Sequence, residues 1–123
     1  MTIEEVKKIF YDEFGPVISK FEIVDIPLAQ VQSFHEAAER PGVYVYWKDN
    51  QVIKVGRHLV NAKTKALEHI RDNTGGEMAQ LKDDPGCHLI LFTVDQKDFH
   101  WTATPEIFLD LYLNPKIKNG RLG

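Results

Sequence analysis

Residues 41–57 read PGVYVYWKDNQVIKVGR, and this stretch decides the fold. Two runs rich in Val, Ile, Tyr and Trp flank a polar turn at Asp49 and Asn50. β-Branched and aromatic residues favour strands, whereas Asp and Asn favour the tight turns that join them. The stretch therefore predicts a β-hairpin with strands at residues 43–47 and 51–56.

The length of the turn decides which side chains of the hairpin face each other. Successive residues of a strand point to opposite faces, so Tyr44 and Tyr46 share one face. A two-residue turn would pair Tyr44 with Val55 and direct Lys54 to the other face. A three-residue turn over residues 48–50 would instead pair Tyr44 with Lys54. A site that uses both side chains requires the longer turn, and this is the register that we expect.

Two helices and a further strand are predicted around the hairpin. An apolar stripe predicts a first helix at residues 2–13, where Thr2 and Glu5 have the spacing of a capping box. A second amphipathic helix is predicted at residues 61–71. The apolar run at residues 87–94 predicts a central strand.

The final helix is predicted to begin with Thr104 as its N-cap and Pro105 in its first turn. Residues 17–24 are compatible with either a strand or a short helix, and residues 28–39 with a helix that contains Phe34. Together the elements predict an α+β fold, in which a three-stranded antiparallel sheet is flanked by helices. A chain of 123 residues is the size of a single domain.

The charge of the chain is acidic overall but basic in two segments. The net charge is −3 and the pI is about 5.9, which disfavours a general nucleic-acid binder. Residues 51–71 nevertheless contain five basic residues and one acidic residue. Lys116, Lys118 and Arg121 add positive charge near the C-terminal end. If the two segments meet in the fold, they form a local basic patch.

The sequence shows neither a disulfide framework nor a zinc motif. It has one cysteine, which excludes an internal disulfide. Zinc-ligand spacing is absent among His35, His58, His88, His100 and Cys87. There is also no signal-peptide pattern and no apolar run of membrane-spanning length, so we expect a cytoplasmic protein with no membrane partner.

The hairpin and the following helix carry a pattern that resembles the GIY-YIG nuclease superfamily. Residues 42–44 read GVY and residues 54–56 read KVG, in the places of the two signature tripeptides. The family then has an arginine in the helix and often a histidine four residues later. This sequence has Lys65 and His69 there, so Lys65 departs from the pattern. Lys54 departs from the usual tyrosine, although restriction enzymes of the superfamily also use lysine.

The resemblance continues towards the C-terminal end. In the family a metal-binding glutamate lies at the start of a later helix, where this sequence has Glu106. A Pro-Lys segment and an asparagine follow in the family and are matched by Lys116, after its proline, and by Asn119. The resemblance covers about residues 41–119 and implies a GIY-YIG-like core, on which residues 1–40 would pack as a helical extension.

The resemblance implies an endonuclease that hydrolyses DNA, including branched or single-stranded forms, with a divalent metal. One Mg²⁺ or Mn²⁺ ion would bind Glu106. Tyr44 would orient or deprotonate the attacking water, and Lys54 would favour its phenolate form. Lys65, supported by Arg57, would hold the scissile phosphate. The further expected roles are help to the water by His69 and substrate contacts by Lys63, Lys116 and Asn119.

Two other interpretations remain open. The departures at Lys54 and Lys65 and the acidic pI also fit a catalytically degenerate module that binds nucleic acid or a protein partner. A third possibility is a structural protein that forms a homodimer through its apolar final helix and Trp101. Glu106 would then only complement the helix dipole, and the helix face that carries Lys65 and His69 would be solvated.

Overall fold

The computed structural model describes residues 1–119 as an α+β fold with three main helices and four strands. The helices are α1 (Ile3–Phe14), α2 (Ala62–Arg71) and α3 (Ala103–Tyr112). The strands are β1 (Glu22–Pro27), β2 (Gly42–Lys48), β3 (Gln51–His58) and β4 (Cys87–Thr93). Short 3-10 turns lie between them, at Gly15–Lys20, Leu28–Ser33, Glu36–Ala38, Thr74–Gly76, Met78–Leu81 and Gln96–Thr102.

All neighbouring strands of the sheet are antiparallel, in the order β1-β4-β2-β3. The strand predicted at residues 87–94 is therefore confirmed as a central one, and so is the hairpin of β2 and β3. The predicted sheet of three strands is wrong, because residues 22–27 pair with β4 and add a fourth.

The additional strand changes the description of the N-terminal region. Residues 1–40 are not a purely helical extension, since β1 joins the sheet at its edge. Asp25 and Pro27 weaken the strand signal, but both are tolerated where one side of the backbone needs no partner. The 3-10 turn Leu28–Ser33 replaces the helix that was expected around Phe34.

The helices confirm one predicted cap and correct another. Thr2 Oγ1 accepts a hydrogen bond from the backbone N–H of Glu5 at 3.1 Å, and the backbone N–H of Thr2 donates to Oε1 of Glu5 at 2.9 Å, which completes the capping box. The N-cap of α3 is Thr102 rather than Thr104, because a 3-10 turn runs directly into this helix. Glu106 nevertheless lies in its first turn. Within residues 1–119, no helix has the length and apolar character to cross a membrane.

Different helices cover the two faces of the sheet. On one face, Tyr44 belongs to an apolar cluster with Ala66 of α2. On the other face, Val43 clusters with Phe10 of α1 and Leu109 of α3. Apolar residues are thus buried on both faces of the sheet.

The turn of the β2–β3 hairpin is shorter than expected. It contains two residues, Asp49 and Asn50, because Lys48 opposes Gln51 directly. Their φ angles are 50° and 60°, in the left-handed region that two-residue hairpin turns require. The expected three-residue turn is therefore wrong.

A β-bulge places Tyr44 and Lys54 on the same face of the sheet, as the longer turn would have done. The register shifts after Tyr46, which opposes Lys54, so that Ile53 is an extra residue on β3. Tyr44 consequently opposes Gly56 and not Lys54. Tyr44 and Lys54 still share one face, because the bulge adds the residue that the turn lacks.

The C-terminal tail lies along the outer edge of β3. The backbone N–H of Lys116 donates to the carbonyl of Val52 at 3.0 Å, and that of Ile117 donates to the carbonyl of Ile53 at 2.8 Å. The two basic segments of the sequence thus meet at this edge. Arg121, the last basic residue of the tail, lies outside the described residues.

Candidate functional site at the edge of strand β3

A tyrosine, a histidine and a threonine form a chain of hydrogen bonds. The hydroxyl of Tyr44 lies 2.7 Å from Nε2 of His69, and Nδ1 of His69 lies 2.8 Å from Oγ1 of Thr74. A neutral imidazole carries one N–H. When Nδ1–H donates to Thr74, Nε2 is the acceptor for the phenolic proton. The chain therefore places the phenol in direct contact with a base.

Thr74 is a site residue that the sequence did not reveal. It lies five residues after His69, beyond the spacing at which two residues share a helix face. α2 ends before it, and Asn73 turns the chain back with a φ of 50°. The hydroxyl reaches the imidazole only because of this turn, so its role becomes visible in three dimensions and not in the spacing.

The protonation of the Tyr44–His69 pair follows from its surroundings. Burial raises the pKa of Tyr44, and the charges of Glu106 and Glu68 raise it further. Burial also lowers the pKa of His69, in the same direction as the charges of Lys54 and Lys65. Both shifts favour a protonated phenol beside a neutral imidazole, rather than the phenolate form that was expected at Tyr44.

Lys54 is held by the C-terminal tail. Its Nζ donates to Oδ1 of Asn119 at 2.9 Å, and Nδ2 of Asn119 donates to the carbonyl of Val55 at 2.8 Å. The side chain of Lys54 is buried. The structure thus brings together two of the predicted site residues from opposite ends of the resemblance.

Arg57 and Glu106 form an ion pair beside the same strand. Nη1 of Arg57 lies 3.5 Å from Oε1 of Glu106. The side chain of Glu106 is 6% exposed and that of Arg57 is 38% exposed, so the guanidinium approaches a buried carboxylate from the solvent side.

The Arg57–Glu106 pair and the Tyr44–His69 pair lie on opposite faces of β3. Arg57 opposes Val43, whose face carries α1 and α3, whereas Gly56 opposes Tyr44 on the face that carries α2. β3 is an edge strand, and the C-terminal tail binds its carbonyls at Val52 and Ile53. The charge of Glu106 raises the pKa of Tyr44, which shows that the pairs are electrostatically coupled.

Lys65 is a partly exposed cation on α2. It lies one turn before His69 and 3.3 Å from Oε2 of Glu68, and its side chain is 38% exposed. An exposed ion pair of this kind exchanges its partner at little cost. Lys65 is therefore free to turn towards an anion near the imidazole.

The structure places Lys63 and Lys116 away from this cluster. Lys63 is buried on α2, and its Nζ donates to the carbonyls of Gln32 at 3.3 Å and Phe34 at 2.6 Å. Lys116 pairs with Glu77 at 3.1 Å. Both lysines have structural partners, so Asn119 is the predicted substrate contact that the fold brings to the site.

A groove of about 700 Å³ lies between α2 and the turn Leu28–Ser33, apart from the site residues. Lys63 and Leu67 border this groove, whereas Tyr44 and Glu106 do not. The candidate site is thus the surface at the edge of β3, outside this groove.

Glu106 is the carboxylate that the sequence predicts as the metal ligand. Within residues 1–119, no group of three or more His, Cys, Asp or Glu side chains is arranged to hold a metal ion. A hydrated Mg²⁺ ion, however, keeps several waters and binds proteins through one or two carboxylates. Glu106 lies in the first turn of α3, where its side chain is buried and pairs with Arg57.

Comparisons with protein-family models, with curated proteins and with solved structures find no match. The arrangement at β3 therefore has to be interpreted from its own residues and distances. It contains three side-chain pairs. The hydroxyl of Tyr44 contacts the imidazole of His69, Lys54 donates to Asn119, and Glu106 pairs with Arg57.

Proposed function

We propose that this protein is a GIY-YIG-like endonuclease, which hydrolyses DNA phosphodiester bonds with one Mg²⁺ or Mn²⁺ ion. The observation that carries the proposal is the 2.7 Å contact between the Tyr44 hydroxyl and Nε2 of His69. The hydroxyl of a buried tyrosine needs a hydrogen-bond partner, and a backbone carbonyl would be enough for that purpose. Here the partner is an imidazole that Thr74 orients through a second hydrogen bond, and this is the arrangement of a general base. Three cations lie around the same strand together with Glu106, namely Lys54, Arg57 and Lys65.

The Tyr44–His69 pair can act as a base although the phenol is protonated at rest. As an attacking water gives its proton to the Tyr44 oxygen, the phenolic proton passes to Nε2 of His69. The phenol is therefore neutral before and after the step, and its raised pKa is no obstacle. The lowered pKa of His69 keeps the imidazole unprotonated and able to accept.

The cations at this edge would stabilise the negative charge that builds on the phosphoryl oxygens. Lys65 is partly exposed on the helix that holds His69, and Arg57 is partly exposed beside Glu106. Positive groups placed where charge develops are a large source of catalysis. A Mg²⁺ ion on Glu106 would polarise the phosphate and stabilise the leaving oxygen.

The proposal is tested by nicking of supercoiled and branched DNA in Mg²⁺ or Mn²⁺. We expect the wild type to cleave, and Glu106→Gln and Tyr44→Phe to lose cleavage. Glu77→Gln, which removes a carboxylate from the exposed pair with Lys116, is the matched control and should cleave normally. A folded wild type that cuts no substrate, or cleavage that survives in Glu106→Gln, would contradict the proposal.

A second candidate function is a degenerate module that binds nucleic acid. The burial of Tyr44 and the ion pair on Glu106 favour it, because both groups are covered in the structure. This function predicts DNA binding in EDTA that weakens as salt is raised. It also predicts that Lys65→Gln reduces affinity, whereas Tyr44→Phe leaves it unchanged.

A further inference from the structure

The groove between α2 and the turn Leu28–Ser33 has the size of a small-molecule site. Its volume is about 700 Å³, within the range of about 300–1,000 Å³ that such sites usually have. Part of its lining is apolar, at Leu28, Ala29, Leu67 and Ile70. Tyr44, His69 and Glu106 do not line it, so a ligand in this groove is independent of the proposed nuclease reaction.

One charged group of this groove is buried. The lining includes three cations and three carboxylates, namely Lys63, Arg71, Lys82, Glu39, Glu68 and Asp83. Lys63 is 6% exposed and is the one member of this set that is buried. Water and salt screen the charges of exposed groups, whereas a buried charge is screened much less. Lys63 is therefore the charge that a ligand in the groove would sense most strongly.

The carboxylates of the groove have cations or donors beside them. Glu68 pairs with Lys65 at 3.3 Å, and Oε1 of Glu39 lies 2.7 Å from Nδ1 of His35. Neither Lys65 nor His35 lines the groove. The third carboxylate directly follows a lysine in the chain. These neighbours reduce the repulsion that an entering anion would meet.

The ammonium group of Lys63 can accept one more partner. Its Nζ donates to the carbonyls of Gln32 at 3.3 Å and Phe34 at 2.6 Å, and an ammonium group has three N–H donors. Within residues 1–119, it forms no ion pair with a carboxylate. Gln32 also lines the groove, so the ammonium group lies at the groove wall. An anion that reaches this wall would compensate a buried positive charge.

We propose that this groove binds a monocarboxylate with a hydrocarbon tail. The carboxylate accepts a charge-assisted hydrogen bond from Lys63, and the tail lies on the apolar lining at Leu67 and Ile70. Hydrocarbon that leaves water for this lining contributes to affinity in proportion to the area that it buries. Both parts of the ligand are needed, because the ammonium group selects the charge and the apolar lining selects the tail.

The test compares octanoate with octanol, which has the same tail and no charge. Binding to the whole protein is followed by the NMR signals of the Leu67 and Ile70 methyl groups, below the concentration at which octanoate forms micelles. Octanoate should shift these signals, whereas acetate, which lacks the tail, should not. Lys63→Met should weaken octanoate binding roughly tenfold or more, because a charge-assisted hydrogen bond is lost. It should leave octanol binding unchanged.

Two further variants and a third ligand complete the test. Lys8→Met removes an exposed lysine of α1, outside the groove, and should bind octanoate like the wild type. Leu67→Glu retains Lys63 and its two carbonyl partners but adds a carboxylate to the groove, so it should weaken octanoate more than octanol. This variant decides the question if Lys63→Met does not fold, which circular dichroism establishes. Octylammonium, with the opposite charge, should bind the wild type more weakly than octanoate.

Octanoate that leaves the Leu67 and Ile70 signals of the wild type unchanged would overturn the proposal. Octylammonium that binds as tightly as octanoate would overturn it as well. If octanoate binds equally well to the wild type and to folded Lys63→Met, the groove is an apolar surface and the ammonium group serves the turn alone.

Discussion

The ring of Tyr44 lies against the backbone of Gly56, the residue directly opposite it on the neighbouring strand. A Cβ atom at Gly56 would be 2.2 Å from the Tyr44 hydroxyl oxygen and 2.3 Å from Cζ, far inside contact distance. The glycine therefore provides the space through which the phenol reaches His69. Gly56 belongs to the second signature tripeptide, and its partner Tyr44 belongs to the first.

Gly56→Ala should displace Tyr44 and break its contact with His69. The ring is buried and rigid, so the added methyl group should reduce the free energy of unfolding by about 1–3 kcal/mol. Urea denaturation measures the loss. Gly15→Ala is the control, because a Cβ at Gly15 meets nothing within 4 Å and its φ is −47°. A Gly56→Ala variant as stable as the control would show that the ring lies elsewhere.

Tyr44→Phe and Tyr46→Phe should separate the hydroxyl that we propose to be catalytic from a structural one. Both tyrosines are buried on one face, but Tyr44 contacts His69 whereas Tyr46 donates to the carbonyl of Ala66. Loss of the Tyr44 hydroxyl should slow cleavage about 100-fold or more, the usual contribution of an acid–base group.

Tyr46→Phe should lower the free energy of unfolding by about 0.5–1.5 kcal/mol and leave cleavage per folded molecule unchanged. Rates and urea denaturation of both variants provide the comparison. Equal losses of cleavage in the two variants would mean that the Tyr44 hydroxyl has no special part in the reaction.

The pKa of His69 should lie below the value of about 6.5 for an exposed histidine. Burial is the main cause, and Lys54 and Lys65 add to it, whereas Glu68 acts in the opposite direction. Lys65→Gln should therefore raise the pKa of His69, and Glu68→Gln should lower it. NMR titration of the imidazole Cε1–H signal measures both shifts. Shifts of the same sign would refute the electrostatic account.

The lowered pKa of His69 should also make stability depend on pH. Between the folded and unfolded pKa values, the unfolded chain binds more protons at this site, so acid favours unfolding. This contribution is present in full above a pH of about 6.5 and is lost as the pH falls through that value. The loss of unfolding free energy between pH 7.5 and 5.5 should thus be smaller in His69→Asn than in the wild type. An identical loss of unfolding free energy in the two proteins would show that a group other than His69 makes the stability depend on pH.

Local signals in the sequence were sufficient for the hairpin, the central strand and the N-cap of α1. Thr2 and Glu5 satisfy each other within one turn, and the apolar run of β4 is buried on both faces. Such features depend on neighbours in the chain or on burial alone. They are therefore visible without the tertiary structure.

The features that escaped prediction depend on distant partners. β1 contains Asp25 and Pro27, which disfavour a strand, and it is a strand because its backbone pairs with β4. The bulge at Ile53 has no signature of its own, and its carbonyl is satisfied by the tail through Ile117. The motif order suggested which residues meet at the site. It did not show that they lie on both faces of an edge strand.

Lys63 illustrates how a charge that looks functional in the sequence can serve the fold. Its ammonium group binds two carbonyls of the turn after β1, at Gln32 and Phe34, and its side chain is buried. Lys63→Met should leave these carbonyls without their donor and lower the free energy of unfolding by about 1–3 kcal/mol. Lys65→Met, which removes an exposed cation of the same helix, should cost less than about 1 kcal/mol. DNA affinity should show the reverse order, falling in Lys65→Met and remaining unchanged in Lys63→Met. If Lys63→Met weakens DNA binding without lowering the free energy of unfolding, the ammonium group contacts DNA and does not stabilise the turn.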